Sequence, residues 1–317
     1  MNAYKKRMTQ VALALCCLLF SSCIGEDLSG CAETRTQLRV SFSTDTQEEI
    51  PGKGPHNVTL YLFDREGYCC ELHEFRLEDL EDETLLETGM PAGEYTFVAW
   101  VNKDDPYFDV PVFDGYPQVH PRKEAAVLYL DIPQNSIVDY QLPDLFHGAL
   151  EGQEIGTDGN RVRIPLVLDT NRLSFSVEGL ESNADTYEFE VRDNNGAYTF
   201  DNGFDACTPF SYMARAAFTG TGGKAGLDAS MTILRLAGDR SPAFTFRNRT
   251  TGKTLYPSSP AQETNLVRLI QKAYRNSTVD FDRKHRFEIT LKYNAQMEAA
   301  VSVDGWSVVQ DDGDLRP

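Results

Sequence analysis

Alternation of apolar and polar residues with a period of two is the feature that most narrows what this chain can fold into. Leu38, Val40 and Phe42 alternate with Arg39, Ser41 and Ser43. Val162, Ile164, Leu166 and Leu168 repeat the pattern, as do Leu173, Phe175 and Val177, and then Tyr187, Phe189 and Val191. A strand points successive side chains to opposite faces, so each run buries one face of a sheet. Val58 to Phe63 is apolar on both faces, which predicts a central strand. One stretch is helical instead: Ser259-Pro260-Ala261-Gln262 supplies a cap, a proline at the first position and a glutamine, before Leu266, Leu269, Ile270 and Ala273 at helical spacing. The pattern predicts a mostly all-β protein of two tandem β-sandwich domains, with about one helix in the second.

Turn residues divide the strands. Asp64-Arg65-Glu66-Gly67 turns the chain into a hairpin with Tyr68 to Phe75, and Met90-Pro91-Ala92-Gly93 feeds the strongly apolar strand ending at Trp100. Leu77 to Leu86 is acidic, with leucines spaced for one or two helical turns. Residues 102 to 122, rich in Pro, Asp and aromatics, read as a long surface excursion. A strand over Ala125 to Ile132 and a turn over Leu142 to Gly148 follow. Glu151 to Asn160 holds three glycines and is the best break in the chain, so the domains are 37–160 and 161–317. Asp193-Asn194-Asn195-Gly196 reads as a hairpin turn. Strands over Ser230 to Leu236 and Ala243 to Arg247 and a last hairpin, Arg286 to Tyr293 with Glu298 to Val303, precede Trp306 and an acidic tail.

The start of the chain is of another kind. Lys5, Lys6 and Arg7 precede an apolar run, Val11 to Phe20, that is too short to span a bilayer, and Ser21-Ser22 precede Cys23. Residues 1–22 read as a signal peptide whose end resembles a lipobox, which makes Cys23 the lipidation site and 23–36 a flexible leash. The bland alternative is an ordinary signal peptide with a chance cysteine at the cut. Two or more acyl chains anchor stably where one does so marginally. Ile24-Gly25-Glu26-Asp27 resembles an acidic signal for export to the outer face of the outer membrane. The formal charge of −18 becomes −21 once residues 1–22, with three basic residues and no acidic one, are gone. That balance argues against nucleic acid as a partner, since its phosphates attract Lys and Arg.

No motif carries chemistry. Cys31, Cys69, Cys70 and Cys207 admit three pairings or free thiols, and the sequence does not choose; Cys31 with Cys69 or Cys70 is the disulfide expected. No Cys-x-x-Cys pair indicates a metal, and the five histidines, His56, His73, His120, His147 and His285, stand far apart. Gly220-Thr221-Gly222-Gly223-Lys224 fails as a phosphate loop, because Phe218 stands where the first glycine belongs and Ala225 replaces the hydroxyl residue. The expectation is no catalytic residue, no metal and no cofactor. Exposed aromatics leave a second reading, a glycan-binding surface lipoprotein.

Several phrases together resemble one family: Cys23-Ile24-Gly25-Glu26-Asp27, Val58-Thr59-Leu60-Tyr61-Leu62-Phe63-Asp64-Arg65-Glu66-Gly67, Gly93-Glu94-Tyr95, Asp144-Leu145-Phe146-His147-Gly148 and the Trp306 ending. The chain is similar to the fimbrial anchor and assembly lipoproteins of Bacteroidales, the FimB-type minor fimbrillin relatives. The resemblance implies transthyretin-like sandwiches, lipid attachment to the surface of the cell outer membrane at the fimbrium base, and strand-addition contacts with a fimbrillin stalk subunit. It implies no catalytic residues. Stalks of this kind expose a sheet edge when a protease removes a first strand, and a neighbour's extended segment fills it. An anchor should keep Leu38 to Thr44 as its first strand, although Arg35 and Arg39 offer trypsin-like sites.

Overall fold

The structure, a computed structural model, describes residues 36–44, 55–104, 106–157, 159–181, 183–219, 226–275 and 278–308. Every alternating run named above is a strand. With strands numbered along the chain, the first sheet runs from β3 (Cys69–Leu77) through β2 (His56–Phe63), β5 (Gly93–Val101), β9 (Phe146–Ile155), β10 (Asn160–Leu168) and β1 (Thr36–Thr44) to β4 (Thr84–Thr88). Its neighbours are antiparallel except β1 and β10, which are parallel.

Leu38, Val40, Phe42, Val58, Leu60, Leu62, Phe97, Ala99, Val162 and Ile164 form the inner core of this sheet. That core is drawn from the sheet and its own connections, so the sheet folds over its own inner face. Its edge strands are tied at one end, where Glu71 accepts a hydrogen bond from the Gly89 N–H at 2.6 Å and Cys70 Sγ lies 3.9 Å from Met90 Sδ. Gly148 lets β9 and β10 approach: a Cβ there would stand 2.7 Å from Ile164 Cγ2, Leu166 Cδ2 and the Pro165 carbonyl.

The outer face is covered too. Tyr61, Phe63, Val98 and Trp100 pack into a second core with a small sheet of β13 (Ala197–Thr199), β7 (Val127–Leu130) and β6 (Phe108–Asp109). Tyr61 meets Phe113 and Phe200 at centroid distances of 4.6 and 4.8 Å. Residues 102 to 122 are therefore not a surface excursion, because Phe108 and Val110 are buried and Phe113 joins this cluster. Covering both faces explains why β2 is buried without a break from Val58 to Phe63.

The same core continues into the remaining sheets. One holds β15 (Leu227–Leu234), β11 (Thr170–Glu178), β18 (Arg286–Tyr293), β19 (Ala299–Val303) and β20 (Trp306–Ser307); the other holds β17 (Thr254–Tyr256), β16 (Ala243–Asn248), β12 (Thr186–Asp193), β14 (Phe210–Ala217) and β8 (Ile137–Val138). They face one another as a sandwich: Phe175 of β11 stacks on Phe189 of β12 at 4.6 Å and on Phe244 of β16 at 5.4 Å. Helix α1 (Leu266–Ala273) buries Leu266, Val267, Leu269, Ile270 and Ala273 on this core.

Four local readings change. Phe146 to Ile155 is strand rather than turn and break, and Asn160 opens β10, which pairs with β9 and β1; the passage between the first sheet and the second lies at Asp169. Leu77 to Leu86 forms a strand end, a turn and β4, not helix, since Leu86 and Thr88 alternate inward with Leu85 and Glu87 outward. The cap of α1 is Asn265, whose side chain accepts from the Arg268 N–H, while Gln262 holds the Ala299 carbonyl and accepts from the Ser258 N–H. Residues 193–196 make no hairpin, because β13 pairs with β7.

Candidate functional site

The first strand is the element on which the expected function turns. β1 lies between β10, which pairs Leu38 to Thr44, and β4, which pairs Thr36 to Val40, so both backbone edges are taken over Leu38 to Val40: Leu38 faces Asn160 on one side and Leu86 on the other, and Val40 faces Val162 and Thr84. Its inward side chains, Leu38, Val40 and Phe42, are 0, 0 and 2% exposed. Burying three such side chains contributes roughly 1.5–3 kcal/mol each. A typical domain is stable by only about 5–15 kcal/mol, so a fold stripped of β1 needs another strand in its place. The chain is fastened where it enters. Thr36 is buried, its hydroxyl donates to the Met90 carbonyl at 3.2 Å, and the Thr88 hydroxyl donates to the Thr36 carbonyl at 3.2 Å.

Arg39 points outward from this strand. Glu83, just ahead of β4, draws Arg39 at 3.1 Å and Arg161 of β10 at 2.9 Å, so one carboxylate spans all three strands. A trypsin-like protease reads an extended segment free of its neighbours, and the Arg39 backbone is paired to Arg161 and Leu85. Cys23, Cys31, Arg35, the signal peptide, the leash before Thr36, the glycine loop from Gly220 and the acidic tail lie outside the described residues.

Among the described residues Cys69, Cys70 and Cys207 form no disulfide with one another. Burial pushes Cys69 up to about 12 and Cys70 up to about 11, and their thiol hydrogens are taken by the Glu71 and Leu62 carbonyls. Neither is primed as a nucleophile. The histidines remain scattered: His73 meets Glu71 at 2.7 Å, His120 donates to the Cys69 carbonyl, and His147 donates to the Phe200 carbonyl beneath Trp100. Among the described residues no three His, Cys, Asp or Glu side chains converge as a metal site, and no helix is long and apolar enough to cross a membrane.

One polar cluster was not legible in the sequence. Asp169 is fully buried at the passage between sheets, where Asn202 donates to Oδ1 at 3.2 Å and Arg235 Nε lies 3.3 Å away. Arg235 also donates to the Asn202 carbonyl at 2.7 Å and lies over the Phe204 ring. Burial raises the Asp169 carboxyl to about 7, with Arg235 and Asn202 pulling the other way. The cluster pins the first sheet to the rest of the fold.

With this geometry in place, comparison with known proteins is decisive. A sequence model of the family described as fimbrillin-A associated anchor proteins Mfa1 and Mfa2 matches residues 28–312. The chain belongs to this family. Among curated protein sequences none matches. Solved structures resemble the fold. A candidate polysaccharide-binding protein of Bacteroides thetaiotaomicron superposes with a TM-score of 0.69 at 22% identity, over 88% of this chain and 100% of that one. A candidate adhesin of the same organism gives 0.68 at 18% identity, over 86% and 97%. The fimbrial anchor protein Mfa2 of Porphyromonas gingivalis gives 0.67 at 20% identity, over 87% of this chain and 99% of that one. This member of the anchor family is thus a mostly β, sandwich-built protein, and the family's role is structural attachment of fimbriae at the cell surface.

Proposed function

We propose that this chain is an outer-membrane lipoprotein, tethered through an acylated Cys23, that anchors a fimbrium at its base and limits its elongation. The observation that carries the reading is β1, paired on both sides and burying Leu38, Val40 and Phe42. A stalk subunit that loses its first strand offers two bare sheet edges to a neighbour's extended segment. Here the slot between β10 and β4 is filled by the chain's own strand, whose start lies thirteen positions after Cys23. A subunit that keeps this strand cannot accept a donor there, so growth ends at it. The same strand links the sandwich to the leash, so a cut within it detaches the body from its lipid.

Two tandem sandwich domains, an outer-facing position at the fimbrium base and a fimbrillin stalk partner belong to this reading. It gives the chain no catalytic residues, metal or cofactor and no nucleic-acid partner. The disulfide of Cys31 with Cys69 or Cys70 is a further part of it, to be tested by mass mapping of the mature protein. The deciding experiment is deletion of the gene with imaging of fimbriae. Fimbriae that become longer and are shed into the medium support the reading; fimbriae of unchanged length and attachment, or a polysaccharide captured by the purified protein instead of fimbrial subunits, contradict it.

A further inference from the structure

Cys31, Cys69, Cys70 and Cys207 follow Cys23 in the sequence, and the three described ones have unlike surroundings. Cys69 is 0% exposed in the core on the outer face of the first sheet, and its thiol donates to the Glu71 carbonyl. The loop before β7 seals it: the Cys69 N–H donates to the Pro121 carbonyl and His120 donates to the Cys69 carbonyl. Successive strand residues point to opposite faces, so Cys70 turns the other way. It packs, only partly buried, against the inner core. Cys207 belongs to the second core, where a Cβ added at Gly196 would stand 3.0 Å from its sulfur.

Cys70 also stands where the first strand begins. Its sulfur is 3.9 Å from Met90 Sδ, and the carbonyl of the same Met90 accepts the Thr36 hydroxyl at 3.2 Å. A single residue thus touches both Thr36 and Cys70. Cys31 precedes Thr36 by five positions. Five residues of chain span at most about 17 Å, enough to cross the breadth of Met90. Cys69 offers its sulfur to the closed core on the other side of the strand, and Cys207 is part of a different core.

Resting on the anchor reading, which puts the mature chain in an oxidising envelope, we propose that Cys31 and Cys70 form a disulfide that ties the lipid-bearing segment to the first sheet. The Cys31 thiolate attacks the disulfide of an envelope oxidoreductase, and one donor thiolate leaves. The Cys70 thiolate then attacks the Cys31 sulfur of the mixed disulfide and expels the donor's second thiolate. Two thiols give up two protons and two electrons, and the donor disulfide is reduced to two thiols. Burial holds the Cys70 thiol up at about 11, which makes it a poor leaving group and slows reduction of the bond. The sequence from Cys23 to Thr34 has no Lys or Arg, so Arg35, the first trypsin-like site, comes after Cys31. Lipid and Cys31 therefore stay on one fragment, and detachment by a cut at Arg35 or within β1 requires reduction of the bond as well.

The test uses the full mature protein in cell membranes. Thiols are blocked with N-ethylmaleimide and the unreduced peptides are mapped by mass spectrometry, with fragmentation to tell Cys70 from Cys69. The expected result is a linked pair of Cys31 and Cys70, with Cys69 and Cys207 recovered in the blocked form. Trypsin treatment of the membranes should then leave the body attached until dithiothreitol is added, whereas Cys31→Ser and Cys70→Ser release it without reductant. Cys31→Ser alters no residue of the described sheets, so its release is not a failure of folding. A link to Cys69 or Cys207, four blocked thiols, or a parent released without reductant as readily as Cys31→Ser overturns the proposal. The same map separates the two claims. An acylated Cys23 with Cys31 blocked rejects the bond and keeps the anchor reading; a Cys31–Cys70 link on a chain with a bare Cys23 keeps the bond and rejects the tether.

Discussion

Replacing Phe42 by alanine tests whether the first strand is integral to the fold. The ring is 2% exposed, lies opposite Ile164 in register and belongs to the inner core of the first sheet. Truncations of this kind cost about 3–5 kcal/mol, part from lost transfer and part from the cavity left. Against a whole stability of roughly 5–15 kcal/mol that is a large share, and at about 2–4 °C per kcal/mol it lowers the melting temperature by on the order of 10 °C. Urea unfolding followed by intrinsic fluorescence reads it directly, because Trp100 is fully buried. The midpoint should fall with little change in the slope. Arg39→Ala is the control: its side chain is 52% exposed and its ion pair with Glu83 lies at the surface, so about 0–1 kcal/mol is expected. If Phe42→Ala costs less than about 1 kcal/mol, β1 is peripheral and the filled-slot argument fails.

Three other outcomes follow from the same structure. Limited trypsin digestion of the folded protein should leave the Arg39–Val40 bond intact, since β1 is paired on both sides, and cut it only after denaturation; N-terminal sequencing of the fragments checks this. Gly148→Ala should destabilise by about 2 kcal/mol, because its Cβ meets the Pro165 carbonyl at 2.7 Å and backbone gives way less easily than a side-chain tip. The pH dependence divides between two buried groups. Burial lowers His147 from 6.5 to about 4, so the unfolded chain binds more protons between those values and stability rises with pH there. Burial raises Asp169 from 3.8 to about 7, so the folded chain binds more protons and stability falls as pH rises across that window. The slopes oppose one another: His147→Gln should leave stability falling from pH 4 to 7 and Asp169→Asn should leave it rising from 4 to 6.5, as seen by urea midpoints across pH.

Where one face of a strand is buried, its residues declare themselves. β1, β10 and β11 were legible because Leu38, Val162 and Leu173 each begin a run of alternating burial, and β12 because its apolar residues alternate in sequence, although Glu188 between Tyr187 and Phe189 is buried too. β9 was hidden by its composition: its second half is largely exposed, and Gly148 and Gly152, which read as breakers, serve a close approach and a left-handed residue inside a strand. The parallel pairing of β1 with β10 joins residues more than a hundred positions apart, and periodicity carries no information about which strand neighbours which. The polar joint of Asp169, Asn202 and Arg235 was invisible for the same reason, its members being brought together only by the packing of sheets. The aromatics of residues 102–122 looked like surface features beside so many prolines and aspartates, yet Phe113 completes the cover over Tyr61.

The central claim is an uncut first strand on a lipid-bearing start. Intact mass spectrometry of the protein extracted from cell membranes, with its N-terminal peptide mapped, tests it most directly. The account predicts a chain beginning at an acylated Cys23 and continuous through Arg35 and Arg39 into β1. A mature chain that begins at Thr36 or Val40, recovered without lipid in the soluble fraction, contradicts it.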